Sequence, residues 1–247
     1  MKKLTVALLC VFVGVGVYGV DVKTLFIDQP PKSELKGGVF SGLAIDILQG
    51  IEKVDPQLHF VNISKTVTPI ARVEKALEDG DIDIYVGFAK NAAREKAFNF
   101  VLPLFPSSNI FVAAAGETAT FKTIDEFKAL NKDAAVLAVS NSAAAQYLKK
   151  QGIKVDDGSA SFSGTFDKLL AGRAKFLYVL NLAAIDYIRT AKLQDKVKLY
   201  PTVTGVDDQY FCISKKASPA VVDAVTAALT KMKTSGALAA IIAPYLN

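Results

Sequence analysis

The sequence is poor in the residues on which metal and histidine chemistry depend. Its 247 residues include one histidine, two cysteines and no tryptophan. A Cys/His zinc site needs several such ligands, so we expect neither a metal site nor a cofactor. A hydrolase with a catalytic histidine would have to use His59, which lies in a strand-like run after a proline. A histidine at a strand edge is the simpler interpretation.

Clustered positive charge is also missing. The formal net charge is +5, and no group of Lys and Arg residues alternates with aromatic residues. The composition therefore argues against a nucleic-acid-binding surface. Hydrophobic residues make up 51% of the chain, which is enough for a packed core.

The first residues have the pattern of a secretory signal peptide. Met1-Lys2-Lys3 is basic, residues 4–18 are apolar, and Gly19 follows as a small residue at the exit. The apolar run is shorter than the ~20 residues that a transmembrane helix needs. Cys10 follows Leu9 and falls early, so a lipoprotein cleavage site is disfavoured. We predict cleavage near Gly19 and a soluble periplasmic protein.

Removal of this segment would leave a mildly basic chain with a single cysteine. Without Lys2 and Lys3, 27 basic residues face 24 acidic ones. Cys212 would then have no intrachain disulfide partner, so the exported protein would depend on its core for stability. Its neighbours, in Tyr210-Phe211-Cys212-Ile213, predict a buried strand and a packed thiol.

Strands and helices alternate along the rest of the chain, which predicts an α/β fold with largely parallel sheets. No flexible linker separates the first block of elements from the second, so crossing strands are expected to join them. The predicted strands are 23–27, 58–63, 82–88, 135–139, 153–155, 176–180, 197–200 and 209–214. The predicted helices are 43–54, 69–77, 124–130, 142–151, 165–171, 183–191, one opening at Pro219, and a last one ending near Tyr245.

Five short motifs in order make the chain similar to periplasmic solute-binding proteins that serve polar amino-acid ABC transporters. They are Gly38 to Leu48, Ala76 to Asp83, Arg94 to Pro103, Leu169 to Arg173, and Lys231 to Leu238. The resemblance implies a two-lobed type II periplasmic binding fold with two crossing hinge strands. Residues 1–19 would be the signal peptide, 20–107 with 206–247 the first lobe, and 108–205 the second.

The same resemblance implies a small-molecule ligand, an ABC transporter permease as partner, and a monomer. In open α/β sheets, ligands bind beyond the carboxyl ends of strands and near helix N-termini, which favour anions. Arg94 is the leading ligand contact, because the family's matching arginine holds a carboxylate by two hydrogen bonds. The alternative is a surface arginine paired with Glu95 or Asp83. Further candidates nearby are Gly87, Phe88, Asn91 and Arg72.

The second lobe is expected to contribute Ser140, Asn141 and Ser142 at a helix start, where simple N-capping is the alternative role. Gln29 stands where the family often has an aromatic residue that covers the ligand. Asn181 stands near the position of an aspartate that binds an α-ammonium group. An amide supplies no charge there, so an organic acid, or an amino acid held differently, becomes an alternative to a standard amino acid.

Three functions remain open at this point. The first is capture of a small polar or anionic, amino-acid-like ligand for an ABC importer. The second is a periplasmic enzyme on the same scaffold, similar to dehydratases, with Asp28, Asp207 or Asp208 as the acid. The third is a ligand-sensing partner of a membrane receptor.

Overall fold

The computed structural model describes residues 19–140, 142–159, 161–201, 203 and 206–246. The predicted signal peptide and Cys10 therefore fall outside the described residues, apart from Gly19. Within the described ranges, no helix has both the length and the apolar character needed to cross a bilayer.

One group of elements, called the first lobe here, is built from both ends of the described chain. Strands β1 and β4 pair in parallel, β12 lies antiparallel between β5 and β6, and β2 and β3 form a hairpin. The strands are β1 Val20–Thr24, β2 Glu34–Lys36, β3 Val39–Ser41, β4 Leu58–Asn62, β5 Ile84–Ala89, β6 Phe98–Ser107 and β12 Asp207–Ser214. The helices are α1 Leu43–Val54, α2 Ile70–Asp79, α3 Ala92–Ala97, α8 Pro219–Thr234 and α9 Ala237–Leu246.

The remaining elements form the second lobe, around one five-stranded sheet of order β11-β7-β10-β8-β9. In that sheet β8 runs parallel to β9 and β10, while β7 runs antiparallel to β10 and β11. The strands are β7 Asn109–Ala114, β8 Val136–Val139, β9 Val155–Ser159, β10 Phe176–Leu180 and β11 Val197–Leu199. The helices are α4 Ile124–Asn131, α5 Ala143–Lys150, α6 Phe162–Leu170 and α7 Asn181–Thr190.

The chain crosses between the two lobes twice, and the crossings lie side by side. The first is at Ser108, between β6 and β7, and the second lies between the end of β11 at Leu199 and the start of β12 at Asp207. The end of β6 pairs with the beginning of β12, with Ser107 opposite Asp207. The predicted two-lobed α/β fold with two crossing strands is confirmed. The expectation of largely parallel sheets was wrong, because β12 runs antiparallel to β5 and β6, and β7 runs antiparallel to β10 and β11.

Each lobe has its own apolar core. Helices α1, α8 and α9 cover the first lobe, and Ile47, Leu229 and Met232 are fully buried between them. The core of the second lobe contains an aromatic cluster around Phe111, Phe127 and Phe176. Leu182, at the beginning of α7, packs into the first lobe's core and so joins the two.

Two local predictions and one helix cap can be compared with the elements. Cys212 is buried in β12, as predicted. His59 is exposed in β4, at the edge of a two-stranded sheet, and its Nδ1 lies 3.4 Å from a Glu52 carboxylate oxygen. Thr123 caps α4 by accepting a hydrogen bond from the Glu126 amide, at 3.1 Å.

Some helix starts were predicted too late. Helix α6 begins at Phe162 and α7 at Asn181, in place of the predicted 165 and 183. Ser161 explains the first difference, because its hydroxyl accepts the Gly164 amide and caps an earlier turn. The β2–β3 hairpin, whose turn holds Gly37 and Gly38 at positive φ, was not among the predicted strands.

Candidate functional site

Two adjoining pockets lie between the lobes and share Gln29 and Leu180. The smaller, called the Lys32 pocket here, has a volume of about 90 Å³. The larger, called the Phe162 pocket, has a volume of about 210 Å³. The Lys32 pocket is lined by Gln29, Pro30, Lys32, Phe105, Ser107, Leu180, Leu182 and Gln209. The Phe162 pocket is lined by Gln29, Asn109, Val139, Ser142, Ala144, Phe162, Tyr178, Val179, Leu180 and Ala183.

A tight loop after β1 places Gln29 and Lys32 at this junction. The Gln29 amide donates to the Ser33 carbonyl oxygen at 2.8 Å, and the Ser33 amide donates back at 3.1 Å. The buried Ser33 hydroxyl donates to the Ile27 carbonyl oxygen at 2.7 Å. These bonds fix the loop, so the direction of the Lys32 side chain is set by backbone geometry.

Lys32 is the only charged residue among those that line either pocket in the described part of the chain. It is 5% exposed, and its ammonium donates to the Gly87 carbonyl oxygen at 3.0 Å. The ammonium also lies 5.2 Å from the centre of the Tyr85 ring. Burial, with a smaller contribution from the positive charge of Arg94, lowers the pKa of Lys32 to about 7.

Gly87 makes room for this lysine. Its φ of +92° is one that side-chain-bearing residues rarely adopt, and a Cβ there would lie 2.8 Å from Lys32 Cδ. Gly87 was predicted as a site residue. The structure places it behind Lys32, where its backbone holds the ammonium.

Arg94 is not among the residues that line the two interlobe pockets. Its Nε donates to a Glu74 carboxylate oxygen at 3.0 Å, Nη2 donates to the same oxygen, and Nη1 donates to the Ala89 carbonyl oxygen at 2.9 Å. The guanidinium carbon also lies 4.3 Å from the centre of the Phe88 ring. The expected alternative partners, Glu95 and Asp83, are corrected to Glu74.

The neighbours of Arg94 also have local roles. Asn91 caps α3, with its side-chain oxygen accepting the Arg94 amide at 2.9 Å. Phe88 is 1% exposed and packs in the core with Tyr85, outside both pocket linings, so its contact with a ligand stays a prediction. Arg72 is exposed in the first turn of α2, outside both pocket linings.

In the second lobe, Ser142 lines the Phe162 pocket and also caps α5. Its hydroxyl accepts the Ala145 amide at 3.1 Å, as the N-capping alternative predicted. Ser140 is half-buried directly after β8, and its amide donates to the Ser159 carbonyl oxygen at 2.8 Å. The remaining candidate, Asn141, lies outside the described residues.

Asn181 connects the first crossing to α7. Its side-chain oxygen accepts the Ser108 amide at 3.2 Å and the Leu182 amide at 2.8 Å. The Asn181 amide donates to the Ser108 carbonyl oxygen at 2.8 Å. The side chain therefore holds the crossing, and it flanks the pockets through its neighbours Leu180 and Leu182.

A larger concavity lies away from the cleft. It is a groove of about 740 Å³ beside α1, α8, α9 and the end of α7. Within it, the Tyr245 hydroxyl donates to Asp46 at 2.6 Å, and Arg189 donates to the Pro244 carbonyl oxygen at 3.0 Å. These groups are already paired, and the interlobe pockets are more enclosed, so the interlobe pockets are the better candidate site.

Sequence reasoning missed Lys32. A lysine after two prolines gives no indication that it is buried, because burial depends on where Gly87 and Tyr85 lie in the fold. The one available signal was position, since Lys32 lies three residues after Gln29, which was predicted to cover the ligand.

Comparison with known families gives one match across most of the chain. Residues 25–247 match the family described as bacterial extracellular solute-binding proteins, family 3. No curated protein matches the chain.

Solved structures share the fold at low sequence identity. A probable amino-acid ABC transporter extracellular-binding protein from Bacillus subtilis is 17% identical, with a TM-score of 0.73 over 92% of this chain and 98% of that one. A putative ABC transporter binding component from Wolinella succinogenes, complexed with lysine, is 17% identical, with a TM-score of 0.72 over 90% and 94%. The GluR0 ligand-binding core from Nostoc punctiforme, in complex with L-glutamate, is 18% identical, with a TM-score of 0.66 over 91% and 98%.

Proposed function

Because the chain belongs to the bacterial extracellular solute-binding proteins of family 3, we propose that it captures a small polar or anionic, amino-acid-like solute in the periplasm and presents it to an ABC importer. The protein would act as a monomer, without catalysing a reaction. Closure of the lobes would bury the solute, so affinity would depend on the balance between open and closed forms as well as on contacts.

The observation that carries this proposal is the pair of joined pockets between the lobes. Residues from both lobes line each pocket, so a solute there would touch both halves at once. Gln29, from the first lobe, lines the Phe162 pocket together with Asn109 and Ser142, from the second. Amino-acid ligands in structures of the same fold support the class of solute.

Positions of the predicted contacts refine the proposal. Gln29 and Ser142 would touch the solute directly, because both line the pockets. Gly87, Asn181 and Arg94 would hold surrounding structure, because their hydrogen bonds go to other parts of the protein.

A binding screen with a blocked-cleft control tests the proposal. Calorimetry with amino acids and small organic acids should show saturable binding without product formation. Gln29→Trp, which places an indole where the pockets meet, should abolish binding while leaving the circular dichroism spectrum unchanged. Turnover of a bound compound would favour the dehydratase-like enzyme, and binding that survives Gln29→Trp would place the site elsewhere.

Sensing is the second candidate, and one observation favours keeping it. The GluR0 ligand-binding core, in complex with L-glutamate, has the same fold, so the fold also occurs as the ligand-binding core of another protein. Deleting this protein from its host separates the two, because an import component and a sensor would then lose different activities. Loss of solute uptake supports import, and uptake that is unchanged while a ligand response is lost supports sensing.

A further inference from the structure

A buried positive charge without a carboxylate partner lies at the wall of the proposed binding cleft. Lys32 is more than nine-tenths buried, and its only hydrogen bond within the described residues goes to the Gly87 carbonyl oxygen. An ammonium group has three N–H donors, so two remain uncommitted. No Asp or Glu of the described chain lies within 4.0 Å of it.

A buried ammonium group without a carboxylate partner lowers stability unless other groups replace its lost hydration. Burying a charged group removes its hydration, and a partner must replace that hydration to make the charge stable. The contact with the Tyr85 ring offsets part of the loss, because the ring face attracts a cation. The repulsion from Arg94 adds to the loss, so protein groups alone leave Lys32 undercompensated.

Among the described residues, no negatively charged side chain lines either pocket of the cleft, so none is available there to bind an ammonium group. Every residue that lines the Phe162 pocket is uncharged, and most are apolar. Asn181 carries an amide, and its oxygen already accepts the amides of Ser108 and Leu182. A zwitterionic amino acid would therefore find a partner for its carboxylate but none, among the described residues, for its ammonium.

We propose that Lys32 is the counter-charge for a monocarboxylate ligand that carries no ammonium group, and that the ligand's apolar body enters the Phe162 pocket. This inference rests on the proposed solute-binding function and names the ligand class for that cleft. The Gln29 and Gln209 amides and the Ser107 hydroxyl line the same wall as Lys32, so they are placed to complete the hydrogen bonds of a carboxylate. The junction at Gln29 and Leu180 connects this polar wall to the apolar one.

Three compounds that share one carbon skeleton distinguish the effect of the ligand's carboxylate from the effect of its ammonium group. 4-Methylpentanoate carries the carboxylate alone, L-leucine adds the α-ammonium, and 4-methylpentanamide carries neither charge. Calorimetry with the full chain should rank the carboxylate as the tightest of the three. Leucine binding as tightly as the carboxylate, or no binding of the carboxylate, would overturn the inference.

A matched pair of lysine variants tests the residue. Lys32→Met keeps an unbranched apolar side chain of similar length, so the stem can still pass Gly87. It should weaken carboxylate binding roughly tenfold to hundredfold, as expected for a charge-assisted hydrogen bond. Lys122→Met, at an exposed lysine of the second lobe, should leave affinity unchanged.

Gln29→Trp distinguishes failure of this inference from failure of the proposed function. If ligands bind and are lost on Gln29→Trp but not on Lys32→Met, the cleft binds solutes and the role of Lys32 is wrong. If neither variant changes binding, the cleft itself is not the site and both proposals fall. Thermal unfolding of Lys32→Met provides a folding check, and we expect its midpoint to be no lower than that of the parent, because an uncompensated buried charge has been removed.

Discussion

The Lys32 ammonium lies 3.0 Å from the carbonyl oxygen of Gly87, a residue 55 positions further along the chain. The same glycine has a φ of +92°, and a Cβ on it would lie 2.8 Å from Lys32 Cδ. The two residues therefore depend on each other: the lysine stem passes where only glycine leaves space, and the glycine backbone binds the charge at the end of that stem.

Gly87→Ala should destabilise the protein through two separable effects. An alanine at this φ costs roughly 1–3 kcal/mol in backbone strain, and its methyl group displaces Lys32. Gly38→Ala is the matched control, because Gly38 has a φ of +81° and no atom lies within 4 Å of the place that an alanine methyl group would take. Urea unfolding should show a larger loss for Gly87→Ala than for Gly38→Ala. Equal losses would mean that the Lys32 contact is unimportant.

Arg94→Met should lower stability and leave ligand affinity within about threefold of the parent. The arginine joins α3 to Glu74 on α2 and lies over Phe88, so its loss removes a charged hydrogen bond and a ring contact. We expect a loss of roughly 1–3 kcal/mol in the free energy of unfolding.

A double-mutant cycle of Arg94→Met with Glu74→Gln should give a coupling energy of about 1 kcal/mol by urea unfolding. Calorimetry on the same variants measures affinity. A large loss of affinity in Arg94→Met with little loss of stability would return Arg94 to the ligand site, as the family resemblance first suggested.

Asn181 should tolerate aspartate better than leucine. Its side-chain oxygen accepts the Ser108 and Leu182 amides at the first crossing, and a carboxylate can accept the same two bonds. Asn181→Leu leaves both donors without this acceptor and should lower the free energy of unfolding by about 1–3 kcal/mol. Asn181→Asp should be near neutral, helped by its position in the first turn of α7. Chemical denaturation of the two variants tests this, and equal destabilisation would contradict it.

The overall fold was predictable because each element left a local pattern. Strand and helix periods and the ordered motifs all act over a few residues, and together they predicted two lobes joined by crossing strands. Errors occurred where a single polar side chain decides a boundary, as at Ser161, which starts α6 earlier than its apolar spacing indicates.

The candidate site was less predictable because its interactions join distant segments. Arg94 was singled out by its motif, but its partner Glu74 lies on a different helix, and nothing in the sequence indicates that α2 and α3 present these groups to each other. Lys32 was passed over because a lysine is usually exposed. Its burial follows from Gly87 and Tyr85, which are brought to it only by the fold.

The pH dependence of stability should reveal Lys32 directly. Its pKa is about 7 in the folded protein, against a usual value of 10.5. Between these values the unfolded chain binds the additional proton, so stability of the free protein should rise with pH, by up to about 1.4 kcal/mol per pH unit from this group. Below pH 7 both states are protonated and this contribution becomes constant. Lys32→Met should lack this rise in stability. Urea unfolding of both proteins between pH 6 and pH 10 would measure the difference between them.

The groups that face Lys32 do not account for such a rise. Burial raises the pKa of Cys212 to about 12 and also raises the pKa of Tyr85 above its usual value, so both groups would give a trend of the opposite sign. Carboxylate affinity should follow the opposite trend, falling above pH 7 as the free ammonium loses its proton, because the bound anion needs the charged form. If stability and carboxylate affinity change with pH in the same way in Lys32→Met and in the parent protein, Lys32 accounts for neither trend. A rise in stability without a fall in affinity would leave it a buried lysine with no part in ligand binding.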